Sequence, residues 1–237
     1  MAVSSLWMRQ MFDSAAKRYV LLNKILTFGQ EEKWRQAALE AIEPQADAQI
    51  LDICTGTADL VLKIAKKFSP LPIYALDYSP RMLAVARERL LKERKFEQNI
   101  IFKEGDCTSL EFDGDYFDYV TISFGFRNLS FSRENLGQAL KEIYRVLKKG
   151  GRFIIIETSQ PANIFVRKLF HFYAEKIVPL VGRFTSGESI PYNYLGNSIV
   201  KFFSQDELID ILESGGFKKE NTKAFMFGMI LLCVVKK

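Results

Sequence analysis

The chain has 237 residues, the length of one domain or of one domain with an embellishment. Hydrophobic residues make up 48% and charged residues 26%, which excludes a disordered chain and allows a real core. The net charge of +5 demands neither nucleic acid nor a membrane. Cys54, Cys107 and Cys233 fit no disulfide framework or metal-ligand spacing, and a single histidine excludes His-rich metal chemistry, so no metal is expected.

The N-terminal stretch MAVSSLWMRQMF lacks a signal-peptide pattern. No apolar run reaches the roughly 18 residues of a spanning helix. These features predict a cytoplasmic protein, soluble or peripheral at a membrane. From Ser5 to Leu26, Met8, Met11, Phe12, Ala15, Ala16, Tyr19 and Leu22 recur at helical spacing. Gly29 breaks this helix, and a second, over about 31–42, stops before Pro44.

An alternation of strands and helices follows. Strands are expected at Ile50–Ile53, Ile73–Leu76, Ile100–Phe102, Tyr119–Ile122 and Phe153–Ile156. Helices are expected over Ala58–Phe68, from Pro80 to about Arg94 with Ser79 as N-cap, and from about Leu136 to Gly150-Gly151. Such alternation implies right-handed βαβ units and a parallel sheet covered on both faces. The stretch 160–203 interrupts it and is aromatic, basic and poorly periodic. A capping box at Ser204 and Glu207 opens another helix, which Gly215-Gly216 end. Phe225 to Val235 reads as one strand, antiparallel within the sheet. The expected segments are N-terminal helices over 1–45, a cofactor-binding core over 46–159, a substrate or lid insertion over 160–203 and a C-terminal part over 204–237.

Four places carry chemistry. The run Ile50-Leu51-Asp52-Ile53-Cys54-Thr55-Gly56-Thr57-Ala58-Asp59 passes from strand through a tight turn into a helix. Ligands bind at such carboxyl ends of strands, where Gly56 admits a close backbone approach and Thr57 offers a hydroxyl and an N–H. A plain connection would read the same. Only one of the three glycines of a dinucleotide fingerprint is present, which argues against a pyrophosphate ligand. Asp77, at the end of the second strand, suits both hydroxyls of a ribose, and Ser79 already caps the next helix. Asp106 and Cys107 follow the third strand, where a carboxylate and a backbone N–H suit an adenine edge; a solvent-facing loop would look alike. The stretch Thr121-Ile122-Ser123-Phe124-Gly125-Phe126-Arg127-Asn128-Leu129 follows the fourth strand and places Arg127 and Asn128 over the same cleft. The bland alternative is an arginine paired with a carboxylate for structure.

Together these features resemble class I S-adenosylmethionine-dependent methyltransferases, a Rossmann-like α/β fold whose mostly parallel sheet has an antiparallel C-terminal strand. Phe12-Asp13-Ser14, Leu22-Asn23, Phe28-Gly29, Gly56-Thr57, Ser123 to Asn128, Tyr144 to Lys148 before Gly150-Gly151, Pro179–Gly182 and Tyr192-Asn193-Tyr194-Leu195 resemble the ubiquinone/menaquinone biosynthesis C-methyltransferase family. The likeness covers nearly the whole chain. Gly56-Thr57-Ala58-Asp59 and Glu157-Thr158-Ser159-Gln160-Pro161 resemble its demethylmenaquinone branch. Val20, Glu31-Glu32 and the C-terminal Phe227 to Cys233 depart from the family pattern; at 31–32 the family often has His and a basic residue.

The resemblance implies S-adenosyl-L-methionine as cofactor, contacted by Thr57, Asp77, Asp106, Cys107 and Ser123 beside Asp52 and Gly56. It implies C-methylation of a lipid-tailed demethylnaphthoquinol, extending to a ubiquinone precursor. Arg127 would stabilise phenolate charge, and Asn128 would orient the ring hydroxyl or a water. Phe126, Tyr192 and Tyr194 are the substrate-side candidates. Phe170, Phe172, Tyr173 and Phe184 are expected to line a channel for the polyprenyl tail, with Arg167, Lys168, Lys176 and Arg183 resting on anionic headgroups. A homodimer stays open, and nucleic acid is not expected as a partner. Two alternatives remain: a methyltransferase for another small molecule, and a nucleotide-binding module without catalysis.

Overall fold

The computed structural model describes residues 5–93, 99–186 and 190–237, without the side chains of 5, 17, 184–186 and 190–191. Two N-terminal helices, α1 (Ser5–Leu26) and α2 (Glu31–Glu40), precede the sheet. Strands β1 (Ile50–Ile53), β2 (Ile73–Asp77), β3 (Ile100–Glu104), β4 (Phe117–Ser123) and β5 (Leu147–Thr158) are parallel; β7 (Ile230–Lys236) runs antiparallel to both its neighbours, β5 and β6 (Lys218–Phe225), so β6 shares the direction of the first five. The strand order is β3-β2-β1-β4-β5-β7-β6. It reverses direction between β1 and β4, which opens a crevice at their carboxyl ends.

The connecting helices are α3 (Asp59–Phe68), α4 (Pro80–Lys92), α5 (Phe126–Leu129), α6 (Arg133–Val146), α7 (Ile164–Phe172), α8 (Val178–Ser186), α9 (Ile190–Val200) and α10 (Gln205–Ser214). Strand residues alternate between two cores. Leu51, Ile53, Val120, Phe153 and Ile155 pack with α6 and α10, whereas Ile50, Ile73, Ala75 and Ile154 pack with α2, α3 and α4. Two-sided burial explains why these strands are continuous apolar runs. The predicted α/β class is the one observed.

Several local expectations change. The helix expected to reach Gly150 stops at Val146, because Leu147 pairs with Phe117 and begins β5. The expected strand Phe225–Val235 instead spans a corner: Met226–Gly228 forms a 3-10 turn, and β7 starts at Ile230. The missed strand β6 is a polar, largely exposed edge strand with no apolar run to betray it. The stretch 160–203 is helical. A π-helical turn at Tyr173–Ile177 shifts the register between α7 and α8, which is why no single helical period spans it. Packing there is close: a Cβ on Gly182 would overlap the Tyr192 ring, and one on Gly196 would overlap the Ala174 carbonyl. The Ser204–Glu207 capping box and the Ser79 cap form as expected.

Candidate active site

The turn after β1 is built from left-handed residues: Cys54 (φ 50°), Gly56 (φ 56°) and Ala58 (φ 63°). This conformation turns the Gly56 N–H towards the end of β2, where it donates to Asp77 Oδ2 at 2.7 Å; Ser79 N–H donates to Asp77 Oδ1 at 2.8 Å. Burial lifts the Asp77 carboxyl to about 6, against the pull of these N–H donors. Asp77, Gly56, Asp106, Cys107, Ser123 and Asn128 all line one cleft at the carboxyl ends of β1 to β4. Helix α1 covers the cleft with Met8, Arg9, Phe12 and Tyr19. Asp13 of α1 fastens this cover by accepting from Ser79 Oγ at 2.5 Å.

Asp106 accepts from Thr108 N and Oγ1, both at 2.8 Å, which fixes the loop after β3. Cys107 and Cys54 meet at 3.8 Å between sulfurs. The Ser123 hydroxyl is buried with no hydrogen-bond partner among the described residues, although it borders the cleft. A buried orphan of this kind fits a ligand that supplies the missing partner. Asp52 and Thr57 lie in a small pocket adjoining the cleft, along with Arg35, Asp59 and Ser123. Thr121 Oγ1 donates to Asp52, whose carboxyl is lifted to about 7 by burial. Thr57 Oγ1 donates to Asp59 at 3.0 Å. Burial raises the Asp59 carboxyl, but Arg35 and Arg89 outweigh it and hold the group below its ordinary value.

A second, larger space opens beside the cleft. It is an apolar cavity of about 460 Å³ walled by α1, α2, the π-helical turn, α9 and the corner between β6 and β7. Tyr19 and Phe124 line both spaces and so mark where they meet. Arg35 and Arg127 are the cationic side chains among the described lining residues. Each is buried and has an Nε with no partner among the described residues. Arg35 stands 5.7 Å over the Phe124 ring and 3.5 Å from Asp59. Arg127 forms an ion pair with Glu157, which is completely buried. Arg127 therefore fulfils the structural alternative while still facing the cavity.

Asn128 borders the cleft and accepts from Tyr194 at 3.4 Å. Tyr192 and Tyr194 line a small pocket between α1 and α9 that shares Tyr19 and Arg127 with the cavity. Phe126 requires a correction. Its side chain is fully buried in the core, 6.3 Å from Phe153 and 6.2 Å from Phe202 between ring centroids, and borders neither space. The first turn of α5 points it inward, and Phe124 lines both spaces instead. Phe170, Phe172 and Tyr173 line the cavity as expected, whereas the Phe184 side chain lies outside the described residues.

Sequence reasoning missed Tyr19, Glu31, Arg35, Phe124 and Glu157. Tyr19 sits at helical spacing in an apolar stripe, which made it look like core. The signal for Glu31, Arg35 and Glu157 is burial of charge, which a sequence does not display.

An open α/β sheet with a left-handed turn after β1, a carboxylate ending β2 and a cleft across the switch point defines a class I S-adenosylmethionine-dependent methyltransferase. The profile of the ubiE/COQ5 methyltransferase family matches residues 1–237, and the chain belongs to that family. It is 37% identical over 211 residues to the ubiquinone/menaquinone biosynthesis C-methyltransferase UbiE of Geotalea daltonii, covering 89% of this chain and 87% of the relative. It is 33% identical to the demethylmenaquinone methyltransferase of Bacteroides fragilis, covering 96% and 91%. A solved S-adenosylmethionine-dependent methyltransferase from Aquifex aeolicus shares the fold at a TM-score of 0.61, with 17% identity and coverage of 85% and 88%. The [4+2]-cyclase SpnF shares it at 0.71, with 14% identity and coverage of 100% and 97%.

Proposed function

We propose that the enzyme transfers a methyl group from S-adenosylmethionine to a ring carbon of a reduced, polyprenyl-tailed demethylnaphthoquinol. The observation that carries this reading is the apolar cavity of about 460 Å³ meeting the cofactor cleft at Tyr19 and Phe124. The relatives named demethylmenaquinone methyltransferase support the acceptor class.

In this reading Asp77 accepts from the ribose hydroxyls, Asp106 and Cys107 hold the adenine edge, and Ser123 finds its missing partner on the donor. Asp52, Gly56 and Thr57 shape the turn beside the amino-acid end. The bound donor supplies an electrophilic sulfonium methyl. The protein's task is then positioning, which can account for much of the rate. Phe124 and Tyr19 set the approach of the ring to the methyl. Arg127, oriented by Glu157, stabilises negative charge on the ring oxygen. Asn128 and Tyr194 form the polar wall on the cleft side. Helices over 160–203 act as the substrate insertion, and the tail lies among Phe170, Phe172 and Tyr173.

The mouth of the cavity supports peripheral contact with a membrane. Phe28, Leu169, Phe172 and Met226 are exposed and also line the cavity. Phe28 (φ 52°) and Phe227 (φ 57°) hold left-handed backbone, a conformation costing about 1 kcal/mol or more for a bulky residue, and are 78% and 85% exposed. Strain that turns two phenylalanines into solvent suits anchoring in lipid. Among the described residues no helix is long and apolar enough to cross a membrane.

The test compares short- and long-tailed demethylnaphthoquinols, each with and without reductant, and locates the new methyl by mass spectrometry. The reading expects a ring-carbon methyl, only under reducing conditions and faster with longer tails. Methyl on oxygen, or equal turnover of the oxidised quinone, would defeat it.

A further inference from the structure

The reaction needs a proton acceptor, because a neutral quinol ring carbon becomes strongly nucleophilic only as its hydroxyl loses a proton. The groups facing the cavity narrow the choice. Arg35 and Arg127 offer only hydrogen-bond donors and no acceptor. Burial holds the phenols of Tyr19 and Tyr173 above their ordinary value, so they keep their protons near neutrality. Asn23, Thr27 and Thr158 do not titrate. Glu31 is the one carboxylate among the described lining residues.

Glu31 is the first residue of α2 and only 5% exposed. Among the described residues no cation lies within ion-pair distance of it, even though Arg35 is one turn away on the same helix; Arg35 turns to Asp59 instead. The hydroxyl of Thr27 touches both a Glu31 carboxylate oxygen and, at 2.7 Å, the Asn23 carbonyl. That hydroxyl has one hydrogen. When Glu31 is ionised, Thr27 donates to it. When Glu31 holds a proton, Glu31 donates to Thr27 Oγ1 and Thr27 donates to the Asn23 carbonyl. Both protonation states keep their hydrogen bonds, which is what a group that gains and loses a proton in each cycle requires. Trp34, three residues on along the same face of α2, packs against Phe124 with ring centroids 5.9 Å apart, and Glu31, Trp34 and Phe124 line the same cavity.

We propose that Glu31 is the proton acceptor for the ring hydroxyl of the quinol. This rests on the acceptor class proposed above. The hydroxyl proton moves to a Glu31 oxygen, and the electron pair left on the ring oxygen feeds the adjacent carbon. That carbon bonds to the methyl as the methyl–sulfur bond breaks with its pair going to sulfur. The ring C–H proton then leaves to water, the ring regains aromaticity, and Glu31 returns its proton to the ring oxygen. The net products are the methylated quinol, the neutral thioether and one proton.

The experiment measures turnover of reduced demethylnaphthoquinol by wild type, E31Q, E31A and E31H, with cofactor affinity by calorimetry and folding by circular dichroism. E31Q should lose roughly 100-fold or more in kcat, the scale of general-base catalysis, with cofactor affinity and quinol KM within about 3-fold of wild type. Added formate should restore part of the turnover of E31A, which a packing defect would not allow, and E31H should retain more turnover than E31Q. Wild-type kcat in E31Q, or a loss confined to KM, would overturn the role of Glu31 while an active wild type keeps the acceptor assignment intact. A wild type inactive on this acceptor would sink both.

Discussion

The cofactor cleft and the apolar cavity share Tyr19 and Phe124 but are made in different ways. The cleft is built from strand ends, each with a short local signature: a glycine turn, a terminal carboxylate, an Asp-Cys pair. The cavity is built from helices whose lining residues run from Tyr19 to Ile230. A sheet fixes its ligand-binding edge through backbone pairing, so a few residues per strand suffice. A cavity between packed helices needs charges buried and paired at a distance, and that pairing is invisible until the helices meet.

The sharpest way to break this contrast is at Glu157, whose ion pair with Arg127 joins β5 to α5 at the wall of the cavity. Replacing Glu157 with Gln leaves a buried guanidinium uncompensated. We expect a loss of about 3–5 kcal/mol in stability, measured by chemical denaturation. The double variant Arg127→Met, Glu157→Leu should recover most of that stability but not turnover. Recovery of both would reduce Arg127 to a structural residue and leave the cavity without its charge-stabilising group.

The contrast also explains what was legible in advance. β1 matched its sequence limits because Ile50–Ile53 is buried on both sides and flanked by turn residues. Asp77 and Ser123 line the cleft as expected because their places follow from strand order. Phe126 was misplaced because a short helix, α5, begins at that residue and turns it into the core, while Phe124, two residues earlier and before the helix, faces the cavity. Arg127 stands out in the sequence and lines the cavity, but its partner Glu157 is 30 residues away on β5. The π-helical turn hid the periodicity of α7 and α8, so the insertion was recognised by composition alone.

A second test acts on the cavity mouth. Phe165 is 78% and Leu169 66% exposed, one turn apart on α7, and Leu169 lines the cavity. Burying such a side chain in lipid contributes about 1.5–3 kcal/mol. Phe165→Glu with Leu169→Glu should therefore cut pelleting with vesicles containing anionic lipid by roughly 100-fold or more, with cofactor affinity unchanged. Unaltered pelleting would remove α7 from the membrane surface.

On the cleft side, Asp77→Ala should weaken cofactor binding by about 1.5–3 kcal/mol, the scale of a hydrogen bond to a charged group. Its pH dependence has a defined sign. A carboxyl lifted to about 6 in the folded state favours folding when protonated, and that contribution is lost as pH rises through about 6. Ribose hydroxyls donate hydrogen bonds, so the ionised form binds them better. Affinity measured by calorimetry should rise between about pH 5 and pH 7 in the wild type and stay flat in Asp77→Ala. A wild-type profile as flat as that of the variant would separate Asp77 from the ribose.

The smallest expected effect discriminates most finely, because it has opposite signs in the free and bound protein. The Ser123 hydroxyl is buried beside the cleft with no partner among the described residues, so the free protein bears its desolvation uncompensated. Ser123→Ala removes that burden. The free variant should be as stable as wild type or more stable by up to about 1 kcal/mol in thermal unfolding. If the hydroxyl meets the bound donor, the same substitution should weaken cofactor affinity by about 0.5–1.5 kcal/mol, the net value of one hydrogen bond. A residue of the framework alone would show the reverse: a less stable free protein and unchanged affinity. Measuring both quantities on one preparation therefore decides whether this strand end is shaped for the sheet or for the ligand.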